Sequence, residues 1–174
     1  MPSVSFNNKS NDFFQSLKQE IDEYFSSNHI RKTGDWRLYS KTILLIGSAA
    51  LIYTLLMLKL MSPWLSLVLC SLLGFLLACI GFSVMHDANH GSYSRKRWVN
   101  DLMGLTINAM GASSYFWKQK HNIIHHTYTN VDGIDDDIAK SPIIRQCASQ
   151  RWVPAHRLQH FYLLPVYALS LIHI

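Results

Sequence analysis

Two stretches of the chain are almost purely apolar. Thr42 to Leu60 carries no charge before Lys59, and Trp64 to Met85 carries none over 22 residues. At about 1.5 Å rise per residue, each can cross a hydrocarbon core of roughly 30 Å. The pattern predicts membrane helices over about 42–60 and 64–85, with Pro63 in Met61-Ser62-Pro63 closing a tight hairpin between them. A cleaved signal peptide lies near residue 1, so a first run starting at Thr42 is not one. Upstream, Phe13, Phe14, Leu17, Ile21, Tyr24 and Phe25 recur at helical spacing behind Asn11 and Asp12, which offer an N-cap. This predicts an amphipathic helix, either on the membrane surface or packed on the protein's own globular part. Arg31 to Lys41, with Gly34, is a polar lead-in to the first span.

Beyond the hairpin the pattern is less regular. Val99 to Trp117 is long enough to cross, yet Asn100, Asp101, Asn108, Ser113, Ser114 and two glycines interrupt it. If it crossed, the polar groups on either side of it would face opposite sides of the membrane. The interruptions favour a segment that lies along the interface, or dips and returns. Asn130 to Lys140 (NVDGIDDDIAK) is an acidic loop whose Asp spacing lacks the alternating ligands and distal Glu of a calcium loop. From Phe161 to Ile174 the chain turns apolar for 14 residues, too few to span. It reads as the start of a third membrane helix, and the chain as a C-terminally truncated piece. The expected fold class is all-α: an integral membrane protein with an N-terminal amphipathic region, 1–41, and a membrane and histidine-bearing region, 42–174.

Composition adds little to this, except through its distribution. Hydrophobic residues make up 49% and charged residues 16%, rich in apolar and poor in charge for a soluble domain. The net charge of +5 does not indicate nucleic acid, because the basic residues flank the spans: Arg31, Lys32, Arg37 and Lys41 before the first, Arg95, Lys96 and Arg97 after the second. The positive-inside rule then places both outer flanks in the cytoplasm. Cys70, Cys79 and Cys147 show no metal or disulfide spacing and read as packing residues.

The chemistry lies in the histidines, of which five of nine fall within 41 residues. HDANH supplies His86 and His90, and HNIIHH supplies His121, His125 and His126. Positions four apart share one face of an α-helix, so His86 with His90, and His121 with His125, can each grip a metal. His126 falls about 100° further round and is expected to point elsewhere. Two metals in a seam between helices would use such a set. Ionisable groups gathered at the end of a span call for a functional account, and imidazole suits zinc, copper, nickel and iron. HDANH has Asp87 where the zinc-protease pattern has Glu. A pair of b-type haems would want single histidines on facing helices; a non-enzymatic membrane metal-binding protein is a further alternative, although its ligands would be expected within the spans and not just beyond them. His29 and His173 read as interfacial side chains, and His156 and His160 in HRLQH as the polar edge of a new apolar run.

These residues resemble the membrane fatty acid desaturases, whose histidine boxes have the form HxxxH and HxxHH or HxxxHH. HDANHGSYSRKRWVNDLMG, WKQKHNIIHHTYTNVDGIDDDI and HRLQHFYLLPVY are similar to stretches of bacterial acyl-CoA and linoleoyl-CoA-like front-end enzymes. The resemblance implies that the chain is the N-terminal part of one desaturase domain. It also implies a non-haem di-iron centre on the cytoplasmic side, with His86, His90, His121, His125 and His126 as ligands and O2 as co-substrate. The implied partners are a fatty acyl chain on CoA or lipid, membrane lipid, and a separate electron donor such as ferredoxin or a b-type cytochrome. Membrane hydroxylases and ketolases use the same scaffold. The third box, QxxHH, and the HPGG motif of a fused b-type cytochrome domain do not occur in these 174 residues. Asp87 and Asn89, and further along Asp101 and Asn122, are the expected hydrogen-bond partners of the ligating rings.

Overall fold

The computed structural model describes residues 11–135, 137–138 and 142–171, and among these every regular element is helical. The expectation for His173 lies outside the described residues. Helix α1 (Asp12–Ser27) is followed by α2 (Trp36–Met57) and α3 (Pro63–Ile80). Asp35 caps α2, its carboxylate accepting from Arg37 N–H at 2.9 Å. At the turn, Ser62 accepts from Leu65 N–H at 3.4 Å and Pro63 opens α3, where its missing N–H costs nothing. Because α2 ends at Met57, Lys59 falls in the link with φ +55°, so the link carries a charge that the expected boundaries had placed in the span.

Helices α2 and α3 pack as a hairpin but keep most of their apolar surface outward. Ile43, Leu44, Leu51, Leu67, Val68 and Phe75 are all exposed. Only 17% and 11% of the two apolar windows are buried within the chain, which a soluble core helix of this hydropathy would not tolerate. The two helices are membrane-spanning in length and in surface.

The second span does not stop at Ile80. A π-helical turn (Gly81–Met85) and α4 (His86–Asn89) continue it, giving one 27-residue helix, Pro63–Asn89. Val84, buried completely, packs with Ala49, Ile80, Ala88 and Tyr93 to join the hairpin to this extension. Tyr93 O–H donates to Thr42 Oγ1 at 2.9 Å, fastening the loop after α4 to α2. The Asn100 side chain accepts from Ser94 N–H at 2.7 Å and donates to the carbonyls of Ser94 and Gly91, which fixes the rest of that loop.

The interrupted segment is broken into α5 (Arg97–Gly104), α6 (Thr106–Ala109) and α7 (Ser114–Trp117), with Gly111 at φ +91° in the turn before α7. The longest piece has eight residues, about 12 Å, and cannot cross a bilayer. Met85, Ile107 and Trp117 form the small core that folds this segment back onto the first π turn. A second π-helical stretch (Lys118–His125) follows α7 directly. A 3₁₀ turn (Pro154–Leu158) leads into α8 (Gln159–Leu171), whose Phe161 and Leu164 are exposed.

Helix α1 buries no residue, and Asn11 precedes it without a side-chain capping bond. Phe13, Phe14, Leu17, Ile21 and Tyr24 are exposed, and Lys32 pairs with Asp22 to hold α1 beside the lead-in to α2. This favours the surface-lying alternative over packing on the described part of the chain. Leu17→Asp with Ile21→Asp is expected to leave unfolding of the remainder unchanged while making residues 11–30 protease-sensitive in liposomes. Equal protection of the variant and the parent would refute it.

Candidate metal centre

Each histidine segment adjoins π winding: the first follows a π turn, and the second lies on one. In a π turn the N–H bonds to the carbonyl five residues back. His86 N–H donates to Gly81 C=O in this way, at the junction of the first π turn with α4. His126 N–H likewise donates to His121 C=O. The wider turn brings residue i+5 round to the side of residue i, so the 100° offset expected for His126 on an α-helix does not apply. His126 lies edge-on to His121 at 5.0 Å between ring centroids, and to His90 at 4.9 Å.

All five histidines meet in one cluster. His86 and His90 are 4.5 Å apart, and each stands edge-on to His121 at 5.4 and 5.2 Å. His121 stacks on His125 at 5.0 Å with 17° between the rings. Trp117, only 6% exposed, stacks on His121 at 4.4 Å and meets His86 and His90 at 5.7 and 5.6 Å, closing one side of the cluster with indole. Among the described residues, two overlapping groups have donor atoms mutually within 4.8 Å: His86, His90 and His121, and His121, His125 and Asp137. His121 belongs to both.

The acidic loop, not the neighbours expected from the sequence, backs two of these rings. Asp135 is fully buried, and both its oxygens lie 3.0 Å from His125 Nδ1. Its carboxylate also accepts from Asn130 N–H at 2.8 Å and Asp137 N–H at 3.0 Å. Asp137 Oδ2 lies 3.3 Å from Nδ1 of both His121 and His125. By contrast, Asp87 reaches His86 Nδ1 only at 3.6 Å, and Asp101 pairs with Lys118 and Arg97. Asn122 donates to the Asn89 carbonyl at 2.8 Å, tying the two histidine segments together. The Asn89 side chain has no partner at either polar atom, and it presses so close to Gly104 that a Cβ there would sit 2.3 Å from Asn89 Oδ1. None of the four expected ring partners therefore makes a hydrogen bond to a ring: Asp87 stands just out of range, and the other three are turned towards α5, Lys118 or the opposite box.

Burial, reinforced by repulsion from His86, His121 and His126, holds the His90 imidazole down at about 4. Burial also lowers His121, against the opposing attraction of Asp137. Burial acts to raise the Asp135 carboxyl, but the Asn130 N–H, the His125 ring and the Asp137 N–H outweigh it and hold the group below its usual value. The site thus keeps His90 and His121 neutral beside an ionised carboxylate, the states that metal donation and ring support require. Because the folded value of His90 is below its ordinary 6.5, its contribution to stability is complete above pH 6.5 and is lost as pH falls through about 4. Unfolding midpoints of the metal-free protein are expected to be level above pH 6.5 and to fall below it, with a smaller fall in His90→Asn. An identical decline in both would count against this environment.

His156 is outside the cluster. Val153 N–H donates to its Nδ1 at 3.1 Å, and its Nε2–H donates to the Pro142 carbonyl at 2.6 Å, so both ring nitrogens are engaged. His160 packs against Phe161 on the surface, and His29 is exposed. The cysteines are free, and Cys70 faces outward from α3 instead of packing.

The sequence pattern of the fatty acid desaturases matches residues 62–174, which hold both histidine segments and the carboxylate loop. The chain belongs to the fatty acid desaturase family. Among curated relatives, it is 36% identical over 159 residues to the sn-1 linoleoyl-lipid 6-desaturase of Arthrospira platensis, covering 91% of this chain and 43% of that protein. It is 36% identical over 160 residues to the acyl-lipid (8-3)-desaturase of Physcomitrium patens, covering 90% and 33%. The sn-1 linoleoyl-lipid 6-desaturase of Synechocystis is 32% identical over 166 residues, covering 89% and 43%. The chain thus spans less than half the length of these relatives. No solved structure matches it. Desaturases are oxidoreductases, and the two spans with this family place the chain in association with a membrane.

Proposed function

We propose that residues 1–174 form the N-terminal part of a single membrane desaturase domain that introduces double bonds into fatty acyl chains with O2. One observation carries the reading: five histidines from two segments converge at the end of a membrane hairpin, with Nδ1 of His121 and His125 backed by carboxylates. Neutral imidazoles with carboxylates behind them are the donor chemistry that a non-haem iron pair takes. His86, His90, His121, His125 and His126 are the residues that would hold it. Bound there, two iron ions would supply the O2-dependent removal of two hydrogens from adjacent methylenes.

The chain's own residues do the rest. Helices α2 and α3 carry the cluster at one end of the hairpin, and Met85, Ile107 and Trp117 keep water from one side of it. Trp117 fixes the plane of His121, and Asp135 fixes that of His125. The names of the relatives favour an acyl group carried on lipid over one carried on CoA. The basic flanks favour histidines on the cytoplasmic side, within reach of a separate electron donor such as ferredoxin or a b-type cytochrome.

The test is product analysis by gas chromatography and mass spectrometry. Full-length protein in its native membrane, supplied with a linoleoyl lipid, is expected to yield an acyl chain with one more double bond. A hydroxylated product would move the protein to the hydroxylases, and bound zinc without O2 uptake would overturn the enzyme reading.

A further inference from the structure

We infer that Asp135 and Asp137 are positioning residues that keep the proton of His125 and His121 on Nδ1, leaving Nε2 of each ring as the metal-donating atom. The inference rests on the metal reading proposed above and specifies how two of its rings are aimed. An ionised carboxylate only accepts, so a ring nitrogen bonded to one must carry hydrogen. Asp135 holds His125 Nδ1 with both oxygens at 3.0 Å, and it is itself locked by the N–H groups of Asn130 and Asp137. Asp137 Oδ2 stands 3.3 Å from both Nδ1 atoms. The two rings are nearly parallel, 17° apart, and meet the same carboxylate through the same atom. Their Nε2 atoms therefore lie together on the side away from the loop. The loop reaches this position through two left-handed residues, Asn130 at φ +63° and Gly133 at φ +82°, which turn the chain back along the histidine helix.

An asparagine at 135 or 137 can offer N–H to Nδ1 and so shift the ring proton to Nε2, the atom needed for the metal. Asp132 supplies a control, since it belongs to the same loop but bonds Ser149 Oγ and Gln150 Nε2 instead of a histidine. The experiment uses full-length protein with ¹⁵N-labelled histidine, read for ring tautomer by long-range ¹H–¹⁵N correlation, and titrated with cobalt(II) by absorbance. His125 and His121 are expected as Nδ1–H tautomers in the parent and in Asp132→Asn. Asp135→Asn and Asp137→Asn are expected to lose that preference and to bind cobalt about 10–100-fold more weakly. Should Asp135→Asn fail to fold for want of its backbone bonds, Asp137→Asn carries the test alone. Unchanged tautomers and unchanged affinity overturn the inference. So does a cobalt spectrum changed in Asp137→Asn with tautomers intact, which makes Asp137 a ligand. If the parent binds no cobalt yet the tautomers shift as stated, the positioning role stands and the metal reading alone fails.

Discussion

His121→Ala is expected to empty the whole centre, whereas His86→Ala or His125→Ala empties only part of it. The asymmetry follows from geometry. His121 is the one residue common to both donor groups, and its ring touches His86, His90, His125 and His126. Removing it leaves His86 with His90 on one side and His125 on the other, without the imidazole through which the two groups meet. Elemental analysis of purified full-length protein is the direct measurement. Metal per chain should fall to background in His121→Ala, with intermediate content in the other two variants, and double-bond formation should follow the metal. A His121→Ala protein with the parent's metal content would sink the shared-ligand arrangement.

Trp117→Ala is expected to have the largest effect on stability among single changes near the site. The indole is 6% exposed, packs with Met85 and Ile107, and stacks on His121. Truncating a buried aromatic of this kind costs about 3–5 kcal/mol through lost transfer energy and the cavity left behind. Denaturant unfolding in detergent reads this directly. Trp117→Phe, which keeps a ring against His121, should recover much of the loss. The indole also holds α7 and the second π stretch against α4, so metal affinity should fall in Trp117→Ala even where the protein remains folded. A loss within about 0.5 kcal/mol, the range of ordinary surface changes, would show that the ring is not a packing element.

The sequence made some of this visible and concealed the rest for physical reasons. The spans were legible because a lipid environment forces long uninterrupted apolar runs, but their ends moved: α2 begins at Trp36, taking residues 36–41 of the expected lead-in into the helix, and ends at Met57, leaving Lys59 in the link. The clustering of His86, His90, His121, His125 and His126 was legible because so many imidazoles have no packing explanation. That the segment 99–117 does not cross as one helix followed from its polar interruptions, and it is broken into the short helices α5, α6 and α7. The ring supports were not legible, because Asp135 reaches His125 from ten residues away across a loop, while Asp87 lies adjacent in sequence but beyond hydrogen-bond range. A dense run of aspartates just after a histidine cluster was the available signal. The orientation of His126 was missed because periodicity was counted on α winding, which the hydrogen bond from His126 to His121 replaces.

That last bond bears on how histidine spacings should be read. On an α-helix, residues i, i+3 and i+4 form a compact triangle on one face. On a π turn, residues i, i+4 and i+5 form the matching triangle, because the ring of hydrogen bonds closes one residue later. The second box here has the longer spacing, His121, His125 and His126, and sits on the winding that absorbs the additional residue. HxxHH on α winding and HxxxHH on π winding are thus two spellings of one arrangement. The helix acts as a vernier, taking up a one-residue insertion in its pitch while the three imidazoles keep their places relative to one another.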